Sequence, residues 1–255
     1  ELSVMIEPRS ASPDTSEHAE TVTWWRHPLV FVLIAGALIR LYKLAEHSLW
    51  YDESTTFIGA RFVDWKFTFL SASESRLEPL NSVLSLWWIT LGELVFGIEM
   101  GSVASDFFLR ALPLLFSVGL IAMTYILSMY LLKNRRAALV ASWFIALSPF
   151  HVYYAQEFRQ HAMYATLVTV AMYVSLRALE DGGKKFWIST VLVSTLAFYT
   201  YYFTVLMFIG FNVYALCFFT RYRAKIVPWT IGQLTILALI IPPALMALTV
   251  WGMHT

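Results

Sequence analysis

The sequence predicts an all-α polytopic membrane protein, and three observations carry that reading. Of 255 residues, 58% are hydrophobic and only 14% charged, with mean hydropathy +0.63; a soluble domain is nearer half apolar and a quarter charged. Apolar runs long enough to cross a bilayer recur from residue 28 onward, separated by short polar connections. Aromatics reach 16%, and Trp and Tyr gather near the predicted span ends, as interfacial belts do.

The first 27 residues stand apart. The stretch EPRSASPDTSEHAE is polar and too poor in apolar residues to build a core, so 1–27 reads as a disordered cytoplasmic tail. Arg26–His27 then precedes a long apolar run with no small-x-small cleavage site after it, the pattern of an uncleaved signal anchor. Residues 28–255 form the transmembrane domain. Crossing the hydrocarbon takes roughly 17–25 residues of helix. About seven spans are expected, at 28–45, 110–132, 137–154, 160–179, 186–202, 203–220 and 227–250. The run 80–98 is ambiguous, because it carries Glu93 and is rich in Trp and Ser.

Charge sets the topology. Lys133/Arg135/Arg136, Lys184–Lys185 and Arg221/Arg223/Lys225 are short basic connections, which belong on the cytoplasmic side. Arg26 places the N-terminus there too, so span 28–45 runs outward and leaves Asp52–Glu53 outside. An odd number of crossings must then separate Asp52 from Lys133, and 110–132 supplies one. The run 80–98 is therefore expected to lie in the membrane plane, with Trp87–Trp88 at the headgroups. The same count puts Gln156–Arg159 and the connection 199–203 outside. Beyond Asp106 the acids are Glu157, Glu180 and Asp181; the last two fall in a cytoplasmic turn closed by Gly182–Gly183. The protein is thus expected in the cell's inner (plasma) membrane with its site on the outer face.

Carboxylates are costly near lipid and usually have a task. Asp52–Glu53 could cap the helix that begins near Ser54, or one carboxylate could take a proton from an acceptor hydroxyl, with the other orienting the acceptor or sharing a divalent cation. Residues 151–161 hold His151, Tyr153, Tyr154, Gln156, Glu157, Arg159 and His161. That density suits the wall of a site better than a plain turn, although snorkelling span-end side chains would also give polar residues there. Arg110 is either an interfacial anchor or a phosphate ligand, since a guanidinium fork matches a phosphate; Arg40 and Lys43 share that ambiguity. Tyr199, Tyr201 and Tyr202 read most simply as an aromatic belt. His47 and His161 make only a weak metal constellation, and no Cys/His cluster has zinc spacing. The single Cys217 excludes an intrachain disulfide. Basic residues lie in short inter-span clusters rather than on one face, which argues against nucleic acid as a partner.

In order along the chain, Trp50-Tyr-Asp52-Glu53, Glu78-Pro79-Leu80, Arg110-Ala-Leu-Pro, the basic turn at 133–136 and Ser148-Pro149 through Gln156-Glu157-Phe158-Arg159 resemble the polytopic C-type glycosyltransferases, of the protein O-mannosyltransferase and aminoarabinose-transferase-like superfamily. The resemblance covers residues 28 to about 210. It implies in-plane helices in a large first outer loop, and sugar transfer from a polyprenyl-phosphate donor to a lipid, glycan or protein hydroxyl. By motif position it implies Asp52 as the catalytic acid with Glu53 beside it, and Arg110 and Arg159 as residues that handle the lipid phosphate or hold the loop. Gln156, Glu157, His161 and Tyr201 join them as expected substrate-binding residues. Cofactor need is open, with a divalent cation at Asp52 and Glu53 as the one suggestion. Departures from the pattern fall at Glu78, at His161 (often Tyr) and at Tyr201 (often His). Superfamily members usually continue into an outer soluble domain, so the chain is expected to be the N-terminal part of a longer architecture. Two other readings remain: a degenerate transferase-fold subunit assembling with partners in a membrane complex, and a transporter. The outer-side bias of the polar residues weighs against the transporter.

Overall fold

The computed structural model describes residues 28–62, 79–99 and 101–251, with side chains to 241. The expected tail and Glu78 lie outside these residues. Every regular element described is helical: α1 Pro28–Leu41, α2 Tyr51–Phe62, α3 Pro79–Phe96, α4 Val103–Leu132, α5 Arg135–Leu147, α6 Pro149–Ala155, α7 His161–Asp181, α8 Lys184–Thr200, α9 Thr204–Cys217, α10 Phe219–Tyr222 and α11 Ile226–Trp251, with a 3-10 turn Arg223–Lys225 before the last.

The sequence explains the breaks. Ser102 caps α4, its hydroxyl accepting from the Ser105 amide, and Asn134 caps α5 by accepting from the amides of Arg136 and Ala137. α4 closes on Lys133 in the left-handed region, φ 50. α7 closes on Gly182 at φ 70, a conformation that costs glycine nothing. α4 has 30 residues, or about 45 Å at 1.5 Å per residue. That exceeds the hydrocarbon thickness of a bilayer.

Two expectations change here. The single span 137–154 is two helices, α5 and α6, bent by 58°. Pro149 offers no amide to continue the ladder and forces Ser148 into extended backbone (φ −63, ψ 119). The expected count of about seven spans is not confirmed. Among the described residues, four helical stretches are long and apolar enough to cross: 79–96, 103–132, 161–181 and 219–241; the bent α5–α6 pair would make a fifth. α1 and α9 have 14 residues each and α8 has 17. The run expected in the membrane plane is one unbroken 18-residue helix, α3, and by length and hydropathy it is among the four.

α1 packs on α4 and α5, α4 on α5 and α7, α7 on α8, and α8 on α11, while α2 packs on α3. Where α1 meets α4, a Cβ at Gly36 would lie 2.5 Å from Ile121 Cδ1, so the end of the Ile121 side chain would have to shift to admit one. Val32, Ile121 and Ala146 fill that contact. Arg40 is fully buried below it. It donates to the carbonyls of Gly36, Ile145 and Ala146 and to Ser117 Oγ. It therefore caps the C-terminal end of α5, where a cation is favoured, and those donors are spent on structure. Toward the other end of α4's packing surface, Ala60, Ile89, Leu109 and Phe158 gather α2, α3, α4 and the 156–160 turn into one apolar cluster. The candidate site sits directly on it.

Candidate functional site

The two polar stretches meet, and they do so residue by residue. Gln156 Nε2 donates to the carbonyls of Arg40 and Tyr42, at 3.0 and 2.8 Å. The Phe158 amide donates to Glu53 Oε1 at 2.7 Å. Arg159 Nη1 pairs with Asp52 Oδ2. Each of these three positions in the 156–159 run thus has its own partner between residues 40 and 53. The run can reach because α6 ends at Ala155 and an amide-to-carbonyl bond from Arg159 to Glu157 tightens the turn that follows.

Asp52 and Glu53 are neighbours in sequence, yet their side chains have opposite surroundings. Successive residues on a helix point about 100° apart. Glu53 points inward and is completely buried. Arg110 holds it with two bonds, Nε to Oε1 at 2.9 Å and Nη2 to Oε2 at 2.6 Å, and the Trp50 amide adds a third contact to Oε2 at 3.3 Å. Together with the Phe158 amide, four N–H groups occupy the carboxylate. Arg110 has further work: Nη1 donates to the carbonyls of Leu44 and His47, and Nη2 to that of Ser48. One guanidinium therefore ties the α1–α2 connection, the first turn of α2 and α4 together. Asp52 points outward, with 34% of its side chain exposed against 26% for Arg159.

Glu157 is nearly buried. Desolvation raises its pKa above the usual carboxylate value, and the charge of Glu53 adds to the rise; a hydrogen bond from the Tyr153 hydroxyl and the charge of Arg159 oppose it. Glu53, Arg110, Tyr153 and Glu157 border a cavity of about 550 Å³, shared with Trp50 and His47. Asp52 and Arg159 lie outside its walls, beside a group of rings. His161 stacks edgewise on Tyr154 at 4.6 Å and on Tyr201 at 5.8 Å, and Tyr201 also meets Tyr164 at 5.2 Å. His161 lies within electrostatic reach of both Arg159 and Asp52. All eight expected site residues thus fall in one neighbourhood, with Glu53, Arg110, Gln156 and Glu157 lining the cavity and Asp52, Arg159, His161 and Tyr201 outside its walls.

A divalent cation shared by Asp52 and Glu53 does not suit this donor set, because both Glu53 oxygens are taken by N–H groups. Among the described residues no three His, Cys, Asp or Glu side chains gather as a metal site requires. Several contributors were invisible to sequence reasoning. The Phe158 and Trp50 amides and the carbonyls of residues 44, 47 and 48 carry no side-chain signal. The Tyr153–Glu157 bond was available from its i, i+4 spacing at the end of a helix.

Residues 81–246, about two thirds of the chain, match the dolichyl-phosphate-mannose-protein mannosyltransferase family. The match runs from α3 into α11, so it takes in Arg110, the 156–161 run and Tyr201, while Asp52–Glu53 precedes it. No curated protein and no solved structure matches. A match of this extent, over an all-helical chain with several helices fit to cross a bilayer, shows that the chain belongs to the dolichyl-phosphate-mannose-protein mannosyltransferase family.

Proposed function

We propose that this membrane glycosyltransferase moves a sugar from a polyprenyl-phosphate donor to a hydroxyl acceptor at the outer face of the membrane, with Asp52 as general base. The observation that carries the proposal is the contrast within the acidic pair. Glu53 is enclosed and saturated with N–H donors, whereas Asp52 is a third exposed and ion-paired to Arg159 at the mouth of an aromatic cluster. A base must be reachable by the proton it takes, and Asp52 meets that condition.

In the proposed reaction the acceptor oxygen attacks the anomeric carbon and its proton passes to Asp52. The bond from that carbon to the phosphate oxygen breaks, and its electron pair leaves with the lipid phosphate. A single displacement inverts the anomeric centre. Arg159 neutralises the leaving group, and preorganised charge of this kind is usually the largest catalytic contribution. Glu53 and Arg110 act as positioning residues that hold the first turn of α2 in place. The edge-to-face cluster of Tyr154, His161, Tyr164 and Tyr201 supplies aromatic surface suited to a sugar. The donor's isoprenoid tail stays in the bilayer, which keeps its reactive bond at the interface where Asp52 sits.

The direct test is transfer in membranes from a radiolabelled polyprenyl-phosphate mannose. Asp52→Asn is expected to lower turnover by about 10²–10⁴, the usual worth of a general base, without loss of folded protein. Full turnover in that variant would remove Asp52 from the chemistry.

A further inference from the structure

The two arginines of the site spend their donors very differently. Arg110 commits Nε, Nη1 and Nη2 to Glu53 and to three carbonyls. Among the described residues, the one side-chain hydrogen bond of Arg159 runs from Nη1 to Asp52. Its Nε is buried without a partner, and so is Ser85 Oγ. Both residues border a small pocket of about 10 Å³ that they share with Asn81, Pro113 and Met163. Among the described residues no protein acceptor takes that Nε, and a quarter of the Arg159 side chain is exposed. Its ion pair with Asp52 is thus a single, partly exposed contact.

We propose that Arg159 shuttles between Asp52 and the donor phosphate. At rest it masks the Asp52 carboxylate; an arriving phosphate draws the guanidinium away, and the base is bared only when the donor is present. This inference rests on the reading in the preceding section. The charges support it. A sugar phosphodiester carries one negative charge, and the phosphomonoester left after transfer carries about 1.5–2 at neutral pH. Over the same step the Asp52 carboxylate takes up the acceptor's proton and becomes neutral. Negative charge therefore falls at one partner of Arg159 while it rises at the other. A cation free to move between them stabilises the transition state more than the ground state, which is the condition for accelerating the chemistry. Arg110 cannot serve this way, because leaving Glu53 would strand a fully buried carboxylate.

The test measures binding of a polyprenyl phosphate, without the sugar, to detergent-solubilised protein at fixed ionic strength. Removing the competitor in Asp52→Asn is expected to tighten binding about fivefold, the worth of a partly exposed ion pair, while sugar transfer is lost. Asp52→Ser, which differs in shape, should tighten it similarly. Arg159→Gln should weaken binding, and adding Asp52→Asn to it should restore nothing. This last comparison matters because deleting an acid also removes its direct repulsion of the phosphate. Tightening of undiminished size in the Arg159→Gln background, or no tightening in Asp52→Asn and Asp52→Ser, overturns the shuttle. A wild-type protein that transfers sugar, with Arg159→Gln binding the phosphate equally well, overturns the shuttle alone. A wild-type protein that neither binds polyprenyl phosphate nor transfers sugar overturns the donor assignment and takes the shuttle with it.

Discussion

Glu53–Arg110 and Asp52–Arg159 are two carboxylate–guanidinium pairs that start from adjacent residues of one helix turn. The first is almost sealed from solvent and its acid accepts four N–H contacts. The second is about a quarter to a third exposed and rests on one bond. A buried charge that loses its partner is strongly destabilising, because desolvation is already complete. A partly exposed pair can open, because water can solvate what is released. The first pair is therefore suited to stay closed, whereas the second can open. Two acids that look interchangeable in the sequence sit in opposite surroundings.

The largest effect that could break this comparison is a reversal of the two phenotypes. Glu53→Gln leaves Arg110 short of its counter-charge and is expected to cost about 3–5 kcal/mol of stability, read as a fall in the thermal midpoint of the solubilised protein. Asp52→Asn is expected to leave that midpoint nearly unchanged while transfer collapses. If Glu53→Gln were the more stable and Asp52→Asn the less stable, the assignment of roles would be inverted. A sharper, smaller test replaces the buried pair whole. Glu53→Leu with Arg110→Met should recover part of the loss seen in Glu53→Gln, since apolar replacements of a buried ion pair often match or exceed it. Recovery will be incomplete, because the carbonyls of Leu44, His47 and Ser48 lose their donor.

Glu157 probes the ground between the pairs. Its folded-state pKa is raised, chiefly by desolvation. Its contribution to stability is thus fully present below the unfolded pKa and is lost as pH rises through the folded one. Glu157→Gln should flatten that part of the stability–pH profile, measured as midpoint against pH through the carboxylate range and above; an unchanged slope would remove Glu157 from the coupling. The smallest effect is expected at the opposite end of the helices. Glu180 there receives the Tyr130 hydroxyl at 2.6 Å and Arg221 at 3.2 Å. These contacts are exposed, so Glu180→Gln should shift stability by less than about 1 kcal/mol. A large loss would mean that both ends of the protein are tied down equally.

Much of this was legible from the residues. The placement of an acidic stretch and a Gln-Glu-x-Arg stretch on one side follows from basic turns and span parity, and the structure does bring 52–53 and 156–159 into contact. The division of labour inside the acidic pair was not legible. Helical geometry says that residues 52 and 53 point different ways, but only the position of α4 decides which one meets Arg110. Arg110 itself read as an anchor or a phosphate ligand because its partner lies 57 positions away. Gln156 read as a substrate ligand, yet its amide is bonded to the end of α1. The break at Ser148–Pro149 was written in the sequence as Ser-Pro and was overridden by the apolar run around it. Charge parity alone keeps 80–98 from crossing, whereas helix length and hydropathy leave that segment able to cross.

The short connection between α1 and α2 is held by its backbone. Most surface loops tolerate added or missing residues. Here the peptide oxygens at 40, 42, 44, 47 and 48 are each claimed by a fixed side chain, from Gln156 or Arg110. Inserting even one glycine would offset every downstream position by up to about 3.3–3.6 Å of chain. An added residue between 42 and 44 would therefore pull the Arg110 contacts at 44, 47 and 48 out of register with the Gln156 contacts at 40 and 42, and spacing in this linker should prove as intolerant of change as any side chain it presents.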